Sequence, residues 1–183
     1  MEGIVEIGTG KLISLSEQEL VDCMDVGQGC NPNRMENAFK FIVTNNGLDT
    51  ELDYPYQGVE GTCNTNAVSV ATITSYESVP ADDENALLQA VVNQPISVGI
   101  DARDSAFMHY SSGVFSGPCG TDLNHAVTLV GYGTADDGTD YWLIKNSWGT
   151  LWGEEGYMRI QRGVEAAEGL CGIAMYAVYP VLK

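Results

Sequence analysis

Basic residues are scarce in this sequence, and their scarcity excludes two classes of partner. Lysine and arginine number 8 among 183 residues, against 25 aspartates and glutamates, which gives a formal net charge of −17 at pH 7. Such a chain repels the phosphates of nucleic acids and the anionic surface of membranes, so we expect it to bind neither. Long apolar runs are missing as well: the longest are strand-sized, far from the roughly 20 residues that a transmembrane helix needs.

The cysteine pattern argues against a metal site. The five cysteines are widely spaced and include no C-x-x-C pair, so we expect no structural zinc. Their spacing in a glycine-rich chain favours disulfides and an oxidising compartment, and the odd count predicts one cysteine without a partner. No Asn-x-Ser/Thr glycosylation acceptor is present, and the opening Met-Glu-Gly lacks the basic and apolar segments of a secretory signal peptide.

The first third of the chain favours helices. Ser16 and Glu19 predict a capping box, in which the Ser16 hydroxyl accepts from a free amide and Glu19 accepts from the Ser16 N–H. Apolar residues at helical spacing between positions 35 and 43 predict a second helix, which Asn46-Gly47 ends. A third helix is predicted from about position 83 to position 93, with acidic residues in its first turn.

After Pro95 the sequence is typical of strands. Asp136-Asp137-Gly138 predicts a hairpin between two of them. Helices followed by antiparallel strands predict an α+β chain of two lobes that divides near residues 75–80. Four short segments rich in β-branched and aromatic residues are the predicted strands: Ile96–Ile100, Ala126–Gly131, Tyr141–Lys145 and Tyr157–Gln161.

The hairpin brings His125 and Asn146 to the same end of a β-ladder. An asparagine amide there can accept the imidazole N–H, fix the tautomer and leave the other ring nitrogen for proton transfer. Trp148 and Trp152 are candidates for shielding that hydrogen bond from water. From this pattern alone, a purely structural histidine is an equally good interpretation. His109 has no comparable setting and is predicted to lie at the surface.

Eight motifs in one order run along the whole chain. They are LISLSEQELVDC, GC followed by a helix, YPYQGVEGTC, NQPISVGIDA, SSGVFSGPCG, NHAVTLVGYG, YWLIKNSWGTLWGEEGYMRI and CGIAMYAVYPV. Together they resemble the papain-like cysteine peptidases, in particular those of plants. The resemblance implies a helical lobe over residues 1–76 with an incomplete central helix at its start, an antiparallel β-barrel-like lobe over residues 77–178, and a tail over residues 179–183 that returns to the helical lobe.

The resemblance also implies roles for the candidate residues. His125 is the general base and imidazolium partner, Asn146 orients it, and Trp148 covers their hydrogen bond. Neither a metal nor a cofactor is implied. The implied disulfides are Cys23–Cys63 and Cys119–Cys171, with Cys30 left unpaired.

The nucleophile is the exception. In the family it opens the central helix in a C-G-S-C-W-A-F-S segment, and residues 2–4 resemble a later part of that helix. The resemblance therefore predicts that this chain starts partway along the helix, lacks the nucleophilic cysteine and is inactive alone. Cys30 resembles the partner of the first cysteine in that segment.

Substrate contacts are implied on both lobes. Asn33 stands where the family has glycines that pair with the substrate backbone, and Asn124 stands where many relatives have aspartate. Leu151 replaces a smaller residue and is expected to narrow the leaving-group side. The pocket for the residue two positions before the scissile bond is expected to prefer apolar side chains over arginine, because it is lined by Gly99, Leu123, Ala126 and Tyr176 and holds no acid.

Two functional interpretations follow. One is a cysteine endopeptidase with an incomplete chain; the other is a non-catalytic homologue that binds peptides or inhibitors. The expected partners are polypeptide substrates, a pro-segment and cystatin-like inhibitors. The resemblance implies the secretory pathway, with the vacuole or lysosome or the extracellular space as destination. An unrelated disulfide-stabilised scaffold is the third interpretation.

Overall fold

The computed structural model describes residues 1–24 and 29–182, which fall into two compact units. Unit 1 comprises Met1–Glu77 with Pro180–Lys183, and unit 2 comprises Ser78–Tyr179. These boundaries differ by one residue from the predicted lobes. No helix in the described part of the chain has the length and apolar character that crossing a membrane requires.

The described part of unit 1 holds three helices, and the cap of the second shows why it begins where it does. The Ser16 hydroxyl accepts from the Glu19 N–H at 2.9 Å, as the capping box predicted. The reciprocal bond was predicted wrongly, because the Ser16 N–H donates to the Asp49 carbonyl instead. The buried Glu19 carboxylate accepts from the Asn45 amide and the Asp49 N–H, so it joins distant segments. The helices are α1 (Glu2–Thr9), α2 (Glu17–Cys23) and α3 (Met35–Thr44).

The end of α3 follows the predicted stop. Asn46 adopts a left-handed φ of 59° and Gly47 a φ of 122°, and the Gly47 N–H bonds to the Ile42 carbonyl at 2.8 Å. This bond spans five residues and satisfies one of the free carbonyls of the last turn, as in a Schellman motif. A disulfide between Cys23 and Cys63 ties α2 to the later loop.

Seven strands form one sheet in the order β1-β7-β2-β4-β5-β6-β3, and β2 to β6 lie wholly within unit 2. The α+β class is confirmed, and the sheet of the lobe expected to be barrel-like is not closed: its order leaves β1 and β3 as edges, and β3 runs parallel to β6. The two-residue β3 follows a long connection, so no hairpin forces it to be antiparallel. The strands are β1 (Ser75–Ser78), β2 (Ile96–Ile100), β3 (Val114–Phe115), β4 (His125–Thr134), β5 (Asp140–Lys145), β6 (Tyr157–Gln161) and β7 (Ala177–Val181).

Alternate residues of the central strands form the core of unit 2, because successive side chains of a strand point to opposite faces. Two helices, α4 (Glu84–Val91) and α5 (Ser105–Met108), and a 3₁₀ helix (Leu170–Gly172) complete the unit. The predicted hairpin is present, with Thr134 opposite Asp140 and Thr128 opposite Lys145. Fully buried core side chains include Ile96, Val98, Ile100, Leu129, Trp142, Ile144, Met158 and Ile160.

Candidate active site

The hairpin joins two polar side chains at one end of the sheet. His125 is the first residue of β4, and Asn146 follows the last residue of β5. Their side chains meet with 2.8 Å between His125 Nε2 and Asn146 Oδ1. Since Oδ1 can only accept, the imidazole carries its proton on Nε2 in this bond. Nδ1 is then the nitrogen left to accept a proton from a reacting group.

The orientation of the Asn146 amide follows from its backbone surroundings. Asn146 Oδ1 also accepts from the Ser147 N–H at 2.8 Å, which identifies that atom as the oxygen. The Asn146 N–H donates to the Gly156 carbonyl at 2.9 Å. Asn146 is buried, and its Nδ2 has no hydrogen-bond partner among the described residues. The hydrogen bonds that orient the Asn146 side-chain amide are therefore those of its Oδ1.

An aromatic cluster lies beside this hydrogen bond. The Trp148 ring stacks on the His125 imidazole with 5.0 Å between centroids. Trp152 packs edge-on against Trp148, and its Nε1 donates to the Met108 carbonyl at 3.0 Å. Phe107 is fully buried and contacts both tryptophans. Trp148 is thus the residue that touches the imidazole, and Trp152 and Phe107 support Trp148.

Two other candidates lie outside this arrangement. His109 is exposed at the end of α5, and its Nδ1 lies 2.9 Å from the Ser105 carbonyl. Leu151 is fully exposed at 103%, so its expected effect on the leaving-group side stays a prediction.

The four pocket residues come together around Gly99. A Cβ built on Gly99 would lie 3.1 Å from Tyr176 Cδ1 and 3.2 Å from Leu123 Cδ1. Ala126 is the residue opposite Gly99 in the β2–β4 pairing. Glycine at position 99 therefore lets the side chains of Leu123 and Tyr176 lie close to the β2 backbone, where a larger residue would crowd them.

The two asparagines proposed for substrate contact are bound within the protein. Asn124 Nδ2 donates to Asp101 Oδ1 and to the Asp122 carbonyl, and its Oδ1 accepts from the Ala102 N–H. Asn33 lies in unit 1 ahead of α3, where its Oδ1 accepts from the Arg34 N–H and the Asn37 amide. Their contacts with substrate stay predictions.

A charged cluster beside His125 was missed by the sequence analysis. Asp101 is 3% exposed and accepts from the guanidinium of Arg103, which also contacts Asp122. The Arg103 hydrogen bond is the main reason that the pKa of Asp101 lies far below its usual range. The only sequence signal was an aspartate directly after a buried strand with an arginine two residues on.

Metal-ligating side chains do not cluster in the described part of the chain. Within residues 1–24 and 29–182, no group of three or more His, Cys, Asp or Glu side chains is arranged to hold an ion. The predicted Cys23–Cys63 and Cys119–Cys171 disulfides are confirmed. Cys30 is the free cysteine of the chain and is exposed.

Comparison with known proteins finds relatives among plant cysteine proteases. A family model described as papain family cysteine protease matches residues 1–181. Vignain of Vigna mungo is 58% identical over 184 residues, which cover 99% of this chain and 51% of vignain. Vignain of Ricinus communis is 58% identical over 187 residues, covering 100% of this chain and 52% of that protein. The chain thus spans about half the length of these curated relatives.

Solved structures agree in fold. The bromelain protease from Ananas comosus, determined with the E64 inhibitor, matches with a TM-score of 0.96 and 48% identity, covering 100% of this chain and 84% of that chain. The ragweed pollen allergen Amb a 11 cysteine protease, in its proform, matches with a TM-score of 0.93 and 43% identity, covering 100% and 56% of the two chains. These matches confirm the papain-like fold.

Proposed function

Because this chain belongs to the papain family of cysteine proteases, we propose that it carries the proton-transfer half of a cysteine endopeptidase. The observation that supports this most directly is the 2.8 Å bond from His125 Nε2 to Asn146 Oδ1. It fixes the tautomer in which Nδ1 is the basic nitrogen. In this proposal His125 is the general base and Asn146 its positioning residue.

The reaction proceeds in two stages. His125 Nδ1 takes the proton of a cysteine thiol, and the imidazolium stabilises the resulting thiolate. The thiolate attacks the carbonyl carbon of a peptide bond, and the imidazolium returns its proton to the leaving amine as the C–N bond breaks. Water, deprotonated by the same imidazole, then hydrolyses the thioester and releases the acid and the free thiol.

The five cysteines do not provide that thiol. Four are joined in disulfides, and Cys30 is exposed in unit 1, where the family resemblance assigns it a disulfide role. We therefore propose that these 183 residues alone do not cleave peptides by covalent catalysis. Catalysis requires a sulfur from outside them.

A thiol-directed epoxide tests this point on the chain itself. Mass spectrometry after incubation should show no adduct that depends on His125, and a fluorogenic peptide should not be hydrolysed above the rate of the His125→Ala variant. Cys30→Ser is the control for simple alkylation of the exposed thiol. An adduct abolished by both Cys30→Ser and His125→Ala would instead make Cys30 the nucleophile.

A second candidate function is peptide binding without cleavage. It is favoured by the cluster of Gly99, Leu123, Ala126 and Tyr176, which is formed although no cysteine has a catalytic assignment. A peptide with leucine two positions before the former scissile bond would then bind the chain and be released intact. Saturable binding by calorimetry would support this function, and no binding at all would contradict it. An unchanged peptide mass is expected from both proposals and does not separate them.

The proposed substrates are polypeptides with a bulky apolar residue at that position. Gly99 leaves the pocket wide, Leu123 and Ala126 make its walls apolar, and Tyr176 supplies no negative charge. A buried guanidinium there lacks a counter-charge, so arginine is disfavoured. A pro-segment and cystatin-like inhibitors are the further proposed partners.

The proposed compartment is oxidising, within the secretory pathway or at its destinations, the vacuole or the extracellular space. Support comes from the two disulfides, because such bonds persist where thiols are not kept reduced.

A further inference from the structure

Asp101 is a buried carboxylate that the proposed chemistry does not use. It directly follows Ile100, the last residue of β2, and is 3% exposed. The Arg103 guanidinium binds the Asp101 carboxylate in a bidentate manner: Nε lies 3.1 Å from Oδ1 and Nη2 lies 3.0 Å from Oδ2. A buried carboxylate requires such pairing, because an unpaired charge away from water is strongly unfavourable.

The same carboxylate holds the segment that leads into His125. Asp101 Oδ2 accepts from the Asp122 N–H at 3.2 Å, and Oδ1 accepts from Asn124 Nδ2 at 2.8 Å. Arg103 closes the cluster from outside, with Nη1 2.7 Å from Asp122 Oδ2. Two of the three residues before His125 are therefore tied to one anion.

Backbone hydrogen bonding connects the Asp101 cluster to His125. The Asn124 N–H donates to the Ile100 carbonyl at 3.0 Å, and Ile100 is the residue opposite His125 in the β2–β4 pairing. The imidazole itself is held by one hydrogen bond and by a tryptophan that is 40% exposed. The direction of Nδ1 thus depends on the backbone at residue 125.

We propose that Asp101 is a positioning residue for His125: its carboxylate, paired with Arg103, holds Asp122 and Asn124 so that the imidazole meets Asn146. The inference rests on the proposed function in one respect: the orientation of His125 matters for catalysis only if His125 is the general base. A merely stabilising role for Asp101 predicts a weaker fold and an unchanged imidazole.

The test uses the 183-residue chain and needs no activity. Asp101→Asn preserves the shape of the side chain but replaces one carboxylate oxygen with an NH₂ group. That group cannot accept hydrogen bonds from the donors around residue 101. The matched control is Asp140→Asn, which breaks the Arg162–Asp140 ion pair at 3.1 Å. Asp140 lies opposite Thr134, at the other end of the ten-residue β4. That end is roughly 30 Å from His125 at about 3.3 Å per residue.

The readout is the Nε2 proton of His125, observed by ¹⁵N-edited NMR. In Asp101→Asn we expect this resonance to shift and its exchange with water to quicken by about tenfold, the scale of a lost hydrogen bond to a charged group. In Asp140→Asn both should match the parent chain. An unchanged resonance in Asp101→Asn, or equal changes in both variants, would overturn the proposal.

Arg103→Ala and Arg103→Lys decide the matter if Asp101→Asn fails to fold. The Arg103 side chain is 58% exposed, so its replacement leaves the core intact. In Arg103→Ala we expect the exchange of the His125 Nε2 proton to quicken less than in Asp101→Asn. In Arg103→Lys the exchange rate should return part of the way to that of the parent chain, because lysine keeps the charge but cannot bind the carboxylate in a bidentate manner. No change in Arg103→Ala would contradict the proposal. Because the readout is an imidazole resonance, a failed endopeptidase proposal would leave this result unaffected.

Discussion

The indole of Trp148 lies nearly parallel to the imidazole of His125, with 26° between the planes and 5.0 Å between the centroids. Trp148 is itself 40% exposed, so its ring lies between the histidine and solvent. The ring therefore separates the His125–Asn146 hydrogen bond from water on one side.

Trp148→Ala should expose that hydrogen bond. We expect the His125 Nε2 proton to exchange about three to ten times faster, since an aromatic pair contributes about 0.5–1.5 kcal/mol. Trp148→Phe, which retains a stacking ring, should lie closer to the parent. The measurement is again imidazole NMR, and an alanine variant that exchanges at the parental rate would show that the indole does not shield the bond.

Replacing Cys119 and Cys171 with serine should lower the free energy of unfolding by about 4 kcal/mol on chain-entropy grounds. The bond closes a loop with a sequence separation of 52 residues. Urea unfolding followed by tryptophan fluorescence reports this, because all three tryptophans lie in unit 2. The same change at Cys23 and Cys63 is the control, and its effect should be weak in fluorescence since that bond lies in unit 1.

Stability should depend on pH through Asp101 in a defined direction. Its pKa is lowered, chiefly by the Arg103 hydrogen bond, so the folded state favours the anion. This contribution is fully present above the unfolded pKa of about 3.9 and is lost as pH falls towards the folded pKa. The difference in unfolding free energy between the parent and Asp101→Asn should thus be constant above about pH 5 and shrink below about pH 4. A difference that stays constant down to pH 3 would contradict the assignment.

Gly99→Ala should narrow the apolar pocket. The new methyl carbon would lie 3.1 Å from Tyr176 and 3.2 Å from Leu123, closer than relaxed carbon contacts of about 3.5–4.0 Å. We expect weaker binding of a leucine peptide amide, followed through the Leu123 methyl resonances. Gly131→Ala is the matched control, because a methyl there meets nothing within 4 Å. Equal affinities in the two variants would place the ligand elsewhere.

Tyr176→Glu should reverse the charge preference of the pocket. A carboxylate at its base supplies the counter-charge that arginine lacks, so an arginine peptide amide should gain affinity relative to the leucine one. The same NMR titration measures both ligands. If arginine already binds the parent chain as well as leucine does, residue 176 does not control the preference.

Short-range patterns predicted much of this fold. The Ser16 cap, the Asn46-Gly47 stop and the β4–β5 hairpin depend on neighbours in sequence, and each is present. The four-residue α5 and two-residue β3 are too short to show periodicity, so they were not predicted.

Long-range polar contacts were harder to anticipate. Glu19 was assigned to its own cap, but its carboxylate binds Asn45 and Asp49, which only the folded chain brings near. The Asp101 cluster escaped notice for the same reason, since its donors come from separate turns. Sequence sufficed to bring His125 beside Asn146 because one hairpin links them; their catalytic role stays a prediction.

The pairing of β2 with β4 has an evolutionary consequence. Gly99 lies opposite Ala126, and the next pair along the same two strands is Ile100 opposite His125. A mutation that displaces this backbone is expected to alter the proposed selectivity and the proposed reactivity together. Tyr176 comes from a different segment: its carbonyl accepts from the Gly99 N–H at 2.8 Å, but its side chain can be exchanged without removing that backbone bond. Relatives that differ in peptide selectivity are therefore expected to differ at residue 176 more often than at the paired positions 99 and 126.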